Sequence, residues 1–329
     1  MALLVRMKEL NLVRFLYRRQ NGWKDKLVKK NKILNAILSV GLAIIIIPTA
    51  LSLFVESPYI PTVKEMLTRR YDTDEQIDVV SFLDVGQGDA ILIRSNGRYV
   101  LIDTGDGISS NIVRSLKLNG VEGIDALILT HWHNDHIGGA IDVLENFSVL
   151  NVIMPTFPDE DHDNYRDAVK INDAAKRSNV MFALAKQGLA VNVGDFRLSF
   201  LYYDKTKEDE NNRSSIIMAK CRDFKFLLMS DAEEPLEDDL LESGIDLNCD
   251  VIKIGHHGSV TSTTEDFLKI AKPQYAVISV AAKNNYGFPD PEILNRLEKR
   301  EIKLYRTDLN GEIDVEVTET ELVFSHSHN

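Results

Sequence analysis

The segment THWHNDHIGG, residues 130–139, places three of the chain's eight histidines and one aspartate within six positions. Imidazole nitrogens and carboxylate oxygens are ligands that Zn²⁺ and similar borderline cations take, at roughly 2.0–2.2 Å. His131 and His133 lie two apart, so on extended backbone they point the same way. Asp135 and His136 follow where the chain turns, and can serve a second ion a short distance off. A solvated histidine-rich loop is the alternative, but that suits a lone histidine better than the pattern H-x-H-x-D-H after a buried strand.

Further chemistry falls just past other apolar runs. FKFLLMSDAEE delivers Asp231, and VIKIGHHGS presents His256 and His257 in the same manner. Alone, Asp231 reads as the N-cap of a helix starting at DAEE, and the histidine pair as a hydrogen-bonded surface feature. The first cluster gives both something to join. Asp103, in LIDTG, has two open readings: a carboxylate that orients a ligand or a bound water, or one bonding the backbone of a turn before Gly105. Lys253 and Ser259 are candidates for binding an anionic oxygen, with a solvent-facing Lys253 as the alternative. His162, in the acidic run DEDHDNY, reads as solvated surface. No Ser-His-Asp or Cys-His pattern offers a protein nucleophile.

Certain elements must position these residues. IDALILT is an apolar run of strand length, and IGGAIDVLENF has helical spacing, so the first cluster lies on a strand-to-helix loop. IDVVSFLDV, DAILIRS and RYVLIDTG are strands separated by glycine-containing turns, a hairpin-rich start. Helices are predicted near 109–118, 137–147, 163–178, 263–271 and 291–299, with DDLLESG a helix closed by Gly244. Strands are predicted at 180–185, 197–203, 214–221 and 224–229, and in CDVIKIG, YAVISVA and IKLYRT. Two sheets with helices outside them accommodate this order. In such layers strand C-termini converge on one edge, so distant residues can meet there.

The start of the chain differs in composition. Residues 33–55 contain no charged side chain, and as a helix they span roughly 35 Å, enough for a bilayer core. Pro48 lies within the run, which lipid-embedded helices tolerate. A cleaved signal peptide or a buried core helix is the alternative, yet the stretch is long for the former. Residues 1–32 carry ten Lys or Arg against Glu9 and Asp25, a net of +8. That segment is expected to stay cytoplasmic and send the remainder outward. Its first twenty residues also suit an amphipathic helix on anionic lipid.

Because the whole chain carries −12, residues 33–329 carry −20. An exterior portion that acidic repels polyanions at long range unless a local cation offsets it. The expected organisation is a basic cytoplasmic segment (1–32), a transmembrane helix (33–55), a stalk (56–75), a domain carrying the histidine and aspartate motifs (76–325) and a tail (326–329) holding His326 and His328. Cys221 and Cys249 are compatible with a disulfide or with two buried thiols.

With these motifs in view, THWHNDHIGG resembles the H-x-H-x-D-H signature of metallo-β-lactamase-fold hydrolases. FLDVGQGDAILI, LIDTG, LLMSDAEE, VIKIGHHGS and YRTDLNGEI, in that order, are similar to the metallo-β-lactamase-like domain of the ComEC/Rec2 competence proteins, over roughly residues 76–317. The resemblance implies an α/β fold, an αββα sandwich with a two-metal site at one edge of the sheets. Carried over by motif, His131 and His133 hold one ion, Asp135 and His136 the other, and Asp231 bridges them. His257 completes the second site and His256 contacts substrate, with the reverse assignment left open. Asp135, Asp103 and His256 are the residues assigned to catalysis. The cofactors implied are two divalent ions, zinc first and manganese second.

The chain also departs from the pattern. A histidine many relatives carry between the first cluster and the bridging aspartate is missing from ENNRSSIIMAK, leaving water, Asn212 or Ser214 to fill that position. Phe288, in NNYGFPDPE, stands where G-H-P segments have histidine. The competence proteins carry a multi-helix channel, whereas this chain has one apolar span.

The expected chemistry is hydrolysis of a phosphodiester by a metal-bridging hydroxide, since metals bring the pKa of bound water to around 7 in known zinc sites. Nucleic acid, nucleotides and phosphodiesters of the cell envelope are the substrate classes, and the lipid bilayer is the other partner. Hydrolysis of a carboxylic ester, lactone or β-lactam, and an anchored binding module without catalysis, are the alternatives.

Overall fold

The computed structural model of the chain describes residues 77–107 and 112–327. The basic segment, the apolar stretch 33–55 and the stalk up to Asp74 and Glu75 lie outside the described residues, as does His328. Among the described residues no helix is long and apolar enough to cross a membrane.

Two large sheets stack face to face. The first has eight strands, in the order Leu322–His326, Ile313–Val317, Val79–Phe82, Ile91–Ser95, Arg98–Ile102, Ala126–Ile128, Asn151–Met154 and Met181–Leu184. The second has seven, in the order Lys303–Arg306, Tyr275–Ile278, Val251–Lys253, Phe224–Leu228, Ile216–Cys221, Phe196–Tyr202 and Ala190–Val193. Each sheet is antiparallel in one half and parallel in the other.

Period-two alternation sorts the side chains between layers. In Arg98–Ile102, Val100 and Ile102 point to the space between the sheets while Leu101 points away; the parallel neighbour repeats this with Ala126 and Ile128 inward and Leu127 outward. Both faces are buried, as a parallel sheet covered by helices requires. Three apolar layers result. One lies between the sheets, one joins the first sheet to the helices Ile112–Leu118, Ala140–Asn146 and Tyr165–Arg177, and one joins the second to Glu234–Glu242, Glu265–Ala271 and Pro291–Lys299. This is the four-layer αββα sandwich.

Helix ends follow local chemistry. Thr264 caps Glu265–Ala271 by accepting from the Phe267 N–H, and Asp290 caps Pro291–Lys299 by accepting from that of Glu292, with Pro291 in the first turn where its missing N–H costs nothing. Tyr165–Arg177 buries Ala168, Ile171, Ala174 and Ala175, a single helical stripe.

Several elements depart from the sequence expectation. In the two large sheets four strands, Asn151–Met154, Ala190–Val193, Ile313–Val317 and Leu322–His326, fall outside the sequence expectation, and the last takes in His326, which was expected in the tail; the short strand Ser148–Val149 of a small two-stranded sheet is a fifth. The single helix expected at 137–147 is two, Asn134–Ile137 and Ala140–Asn146, broken at Gly138 and Gly139. Cys221 and Cys249 are buried free thiols, and burial pushes each up to about 12.

Candidate metal centre

Four strand C-termini deliver the chemistry to one edge. Arg98–Ile102 runs into Asp103, Ala126–Ile128 into His131, Phe224–Leu228 into Asp231 and Val251–Lys253 into His257. The loops beyond them turn sharply: Asp103, Ser230, His256 and His257 all hold positive φ. Non-glycine residues pay for that conformation, and such strain concentrates where surrounding structure over-determines it. Gly88 is required for a different reason, since a Cβ there would lie 1.9 Å from the Asp135 carbonyl oxygen. Through that close approach the Asp89 N–H bonds Asp135 O at 3.2 Å and fixes the loop carrying Asp135.

Asp231 stands at the centre. Its Oδ2 lies 3.2 Å from His136 Nε2 and 3.9 Å from His131 Nε2, while its Oδ1 lies 3.4 Å from His257 Nε2. Asp135 Oδ2 is 3.2 Å from the same His257 nitrogen. The donor atoms fall into two overlapping groups that share Asp231. One is Asp135, His136, Asp231 and His257; the other is His131, His133 and Asp231; within each, every pair of donor atoms is within 4.8 Å.

The free nitrogens are set by what the other ring nitrogens do. His257 Nδ1 lies 2.9 Å from the Ser279 carbonyl oxygen, a contact that requires N–H there and makes Nε2 the nitrogen that faces the cluster, open to a cation once its own proton has left. His136 Nδ1 lies 2.8 Å from Asp103 Oδ2. Asp103 also accepts from the Thr130 N–H at 2.8 Å and from its hydroxyl at 2.6 Å. Asp103 is therefore an orienting carboxylate, holding the strand end and the His136 ring together, and not a turn residue.

Do these residues fit cations? His131 Nε2, His136 Nε2, His257 Nε2 and Asp231 Oδ1 are buried and have no hydrogen-bond partner. Orphaned buried polar atoms are rare, and four aimed at one point call for a ligand. Electropositive ions between them satisfy all four, so the residues fit a pair of divalent cations.

Electrostatics agree. Burial opposes charge on Asp231, yet His136 and His257 outweigh it and hold the carboxyl well below its ordinary range. Burial likewise opposes a proton on His257, but Asp231 and Asp135 lift it to about 10. His136 is raised well above its usual value, with Asp231 and Asp103 overcoming burial. His131 goes the other way: burial and the neighbouring His136 push it well below.

The remaining predicted residues are placed as follows. His256 points into the cleft, its Nδ1 2.9 Å from Glu233 Oε1 and outside both donor groups. Asp231 precedes the helix Glu234–Glu242 by three positions and caps nothing, so its N-cap reading fails. Lys253 neither faces solvent nor reaches substrate: it is fully buried, 2.7 Å from Asp89 Oδ2. Buried charge must be paired, and the strand turns this lysine toward the first sheet, where Asp89 waits. His162 lines the cleft with its Nε2 3.3 Å from Glu210 Oε2, because its loop folds over the opening. Asn212 is spent on Glu233, and Ser214 Oγ lies behind His131, 3.4 Å from its Nδ1.

Asp89 and Glu210 escaped sequence reasoning. Asp89 sits in the GQGDA turn, where only its place beside two glycines marked it. Glu210 accepts from the Trp132 N–H at 2.8 Å and so anchors the histidine segment. Nothing in the run KEDENN distinguishes it from a solvated acidic loop.

His133, Asp135, Asp231 and His257 from the two donor groups line a cleft of about 700 Å³, together with His162, Glu210 and His256. The chain belongs to the metallo-β-lactamase superfamily, whose family model matches residues 83–282. It is 30% identical to ComE operon protein 3 of Bacillus subtilis (strain 168) over 71% of this chain and 32% of that protein. To Recombination protein 2 of Haemophilus influenzae it is 32% identical, over 72% of this chain and 28% of that one. The chain thus matches about a third of the length of these relatives. Among solved structures, CmlA, a diiron β-hydroxylase from Streptomyces venezuelae, superposes with a TM-score of 0.50 at 13% identity over 74% of this chain and 54% of that one. At that identity the likeness concerns the fold alone.

Proposed function

We propose that this chain is a membrane-anchored phosphodiesterase that works with two divalent cations, zinc or manganese, held on an exterior hydrolase domain. The observation that supports the reading is the set of buried orphaned donor atoms on His131, His136, Asp231 and His257, the last two of which line the cleft. His131, His133 and Asp231 would hold one cation, and Asp135, His136, His257 and Asp231 the other. When bound, such a pair polarises a phosphoryl oxygen and acidifies water toward neutral pH.

The chain's own residues supply the rest. Asp103 keeps the His136 ring aimed and its tautomer fixed. Asp135, the most exposed of the inner carboxylates, faces the cleft, and although burial opposes its charge, His257 and His136 hold it ionised, as a cation ligand must be. His256, oriented by Glu233, stands at the wall where a leaving oxygen would depart, and can position or protonate it. Gln87 Nε2 lines the same space without a hydrogen-bond partner and offers a donor to substrate oxygen.

Kinship with proteins named for competence and recombination supports a phosphodiester over a lactam. The acidic rim, with Asp161, Asp163 and Glu210, supports a short or single-stranded substrate over a long duplex. The full-length chain, supplied with Zn²⁺ or Mn²⁺, is expected to hydrolyse bis-p-nitrophenyl phosphate and short oligonucleotides while leaving a chromogenic lactam and lactone intact. His133→Ala combined with Asp135→Ala should abolish that turnover. Equal activity in both proteins, or preference for the lactam or lactone, would falsify this reading. Anchoring is tested by adding protease outside intact cells, which should digest the hydrolase domain and spare residues 1–32.

A further inference from the structure

One side of the cleft has no role in holding cations. Tyr286 and Phe288 line it with rings nearly parallel, centroids 5.5 Å apart at an interplanar angle of 16°. Tyr286 is 68% exposed, an unusual state for so large a ring. Phe288 packs edge-on against His256, centroids 5.5 Å apart, so the shelf reaches the donor cluster through His256, the neighbour of His257.

The loop carrying the shelf is braced. Asn284 Oδ1 accepts from the N–H groups of Tyr286 and Phe288, and its Nδ2 donates to the carbonyls of Ala281 and Phe288. The Asp290 N–H bonds Gly258 O at 2.8 Å, tying the loop to the turn that bears His257. Gly258 accommodates this contact, since a Cβ there would sit 2.7 Å from that of Pro289. Exposed aromatic faces held rigid in this way lose little entropy when a flat ligand stacks on them.

We propose that Tyr286 and Phe288 form a stacking shelf for an unpaired nucleobase next to the scissile phosphodiester, so that the substrate is single-stranded nucleic acid or a nucleotide. This deepens the phosphodiesterase reading and rests on it for the position of the phosphate. Every base offers a π-face, and one stacked base contributes about 1–3 kcal/mol. A sugar ring also lies on aromatic shelves, but needs donors and acceptors alongside to read its hydroxyls. Of the two amides at this end of the cleft, Asn284 is wholly consumed by its own loop. Gln87 keeps only its Nε2 free, its Oε1 accepting from the Ala281 N–H, so little is left to read a ring of hydroxyls. A duplex is disfavoured because its bases are already stacked and the cleft rim is acidic.

The test compares a short single-stranded oligonucleotide with the same oligomer carrying an abasic site beside the scissile phosphate, using full-length protein. The preference for the base-bearing oligomer, as a ratio of kcat/KM, should fall roughly 5- to 150-fold in Tyr286→Ala with Phe288→Ala, the range equivalent to one lost stack. Tyr286→Trp should keep the preference, and its fluorescence, over the parent's background, should be quenched by the base-bearing oligomer and not by the abasic one.

A preference unchanged in the double variant, or equal quenching by both oligomers, overturns the shelf. So does a glycosyl phosphodiester that competes as well as the base-bearing oligomer. Quenching that discriminates, in a protein that cleaves no phosphodiester, leaves the shelf standing and removes the hydrolytic reading instead.

Discussion

His131 and His257 sit on opposite sides of Asp231, and their surroundings act on them in opposite directions. His131 belongs to the half with three donors; its Nδ1 faces only hydroxyls, Thr130 at 3.2 Å and Ser214 and Ser230 at 3.4 Å, and burial drives its proton off. His257 belongs to the half with four donors, where Asp231, Asp135 and Asp89 outweigh burial and keep it protonated up to about 10. One half is thus ready for a cation near neutral pH, while the other must exchange a proton for one. The difference shows that ligand type alone does not define a metal site; the neighbouring carboxylates decide what a cation has to displace.

The comparison can be broken outright at Asp231, which both halves share. Asp231→Ala should reduce bound metal from about two ions per chain to well under one and abolish metal-dependent turnover, as elemental analysis and phosphodiester assays would show. His133→Ala should cost only the three-donor half, leaving about one ion.

A smaller break comes through Lys253. Lys253→Met leaves Asp89 buried without its partner and should cost about 3–5 kcal/mol in urea unfolding. Because Asp89 Oδ1 lies 3.5 Å from His257 Nδ1, metal affinity should fall at the four-donor half and hold at the other. Adding Asp89→Asn should restore part of the stability.

Asp103→Asn tests orientation without removing a ligand. The asparagine cannot accept from Thr130 and His136 as the carboxylate does, so affinity at the four-donor half should drop about 10- to 100-fold. The gentlest test sharpens the contrast. Loading the four-donor half should release protons, with affinity rising as pH climbs toward about 10, because His257 is protonated below that value. Calorimetry in two buffers of different ionisation enthalpy should show proton release for that ion and little for the His131 half. Equal release at both halves would erase the distinction drawn here.

Much of the site was legible because its donors are concentrated. H-x-H-x-D-H and HH stand out since few structural roles call for adjacent imidazoles, and both occur just past runs that are plainly strands. Lys253 misled because its alternation in a three-residue strand gives no face, and a lysine there is ordinarily solvated. Ile313–Val317 was obscured by polar residues, since Asp314 and Glu316 interrupt the apolar run of IDVEV. Its pairing with Val79–Phe82 on one side and Leu322–His326 on the other, not local propensity, makes it a strand.

The sequence by itself determined which side chains were available to bind cations, that they follow strands, and that two sheets flanked by helices would carry them. Only the tertiary structure decided that His257 and not His256 faces the donors, that Asp103 orients His136, and that Lys253 neutralises Asp89. Those outcomes depend on left-handed turns and on approaches between residues far apart in the chain, and a linear pattern holds no record of which distant charge a buried group will meet.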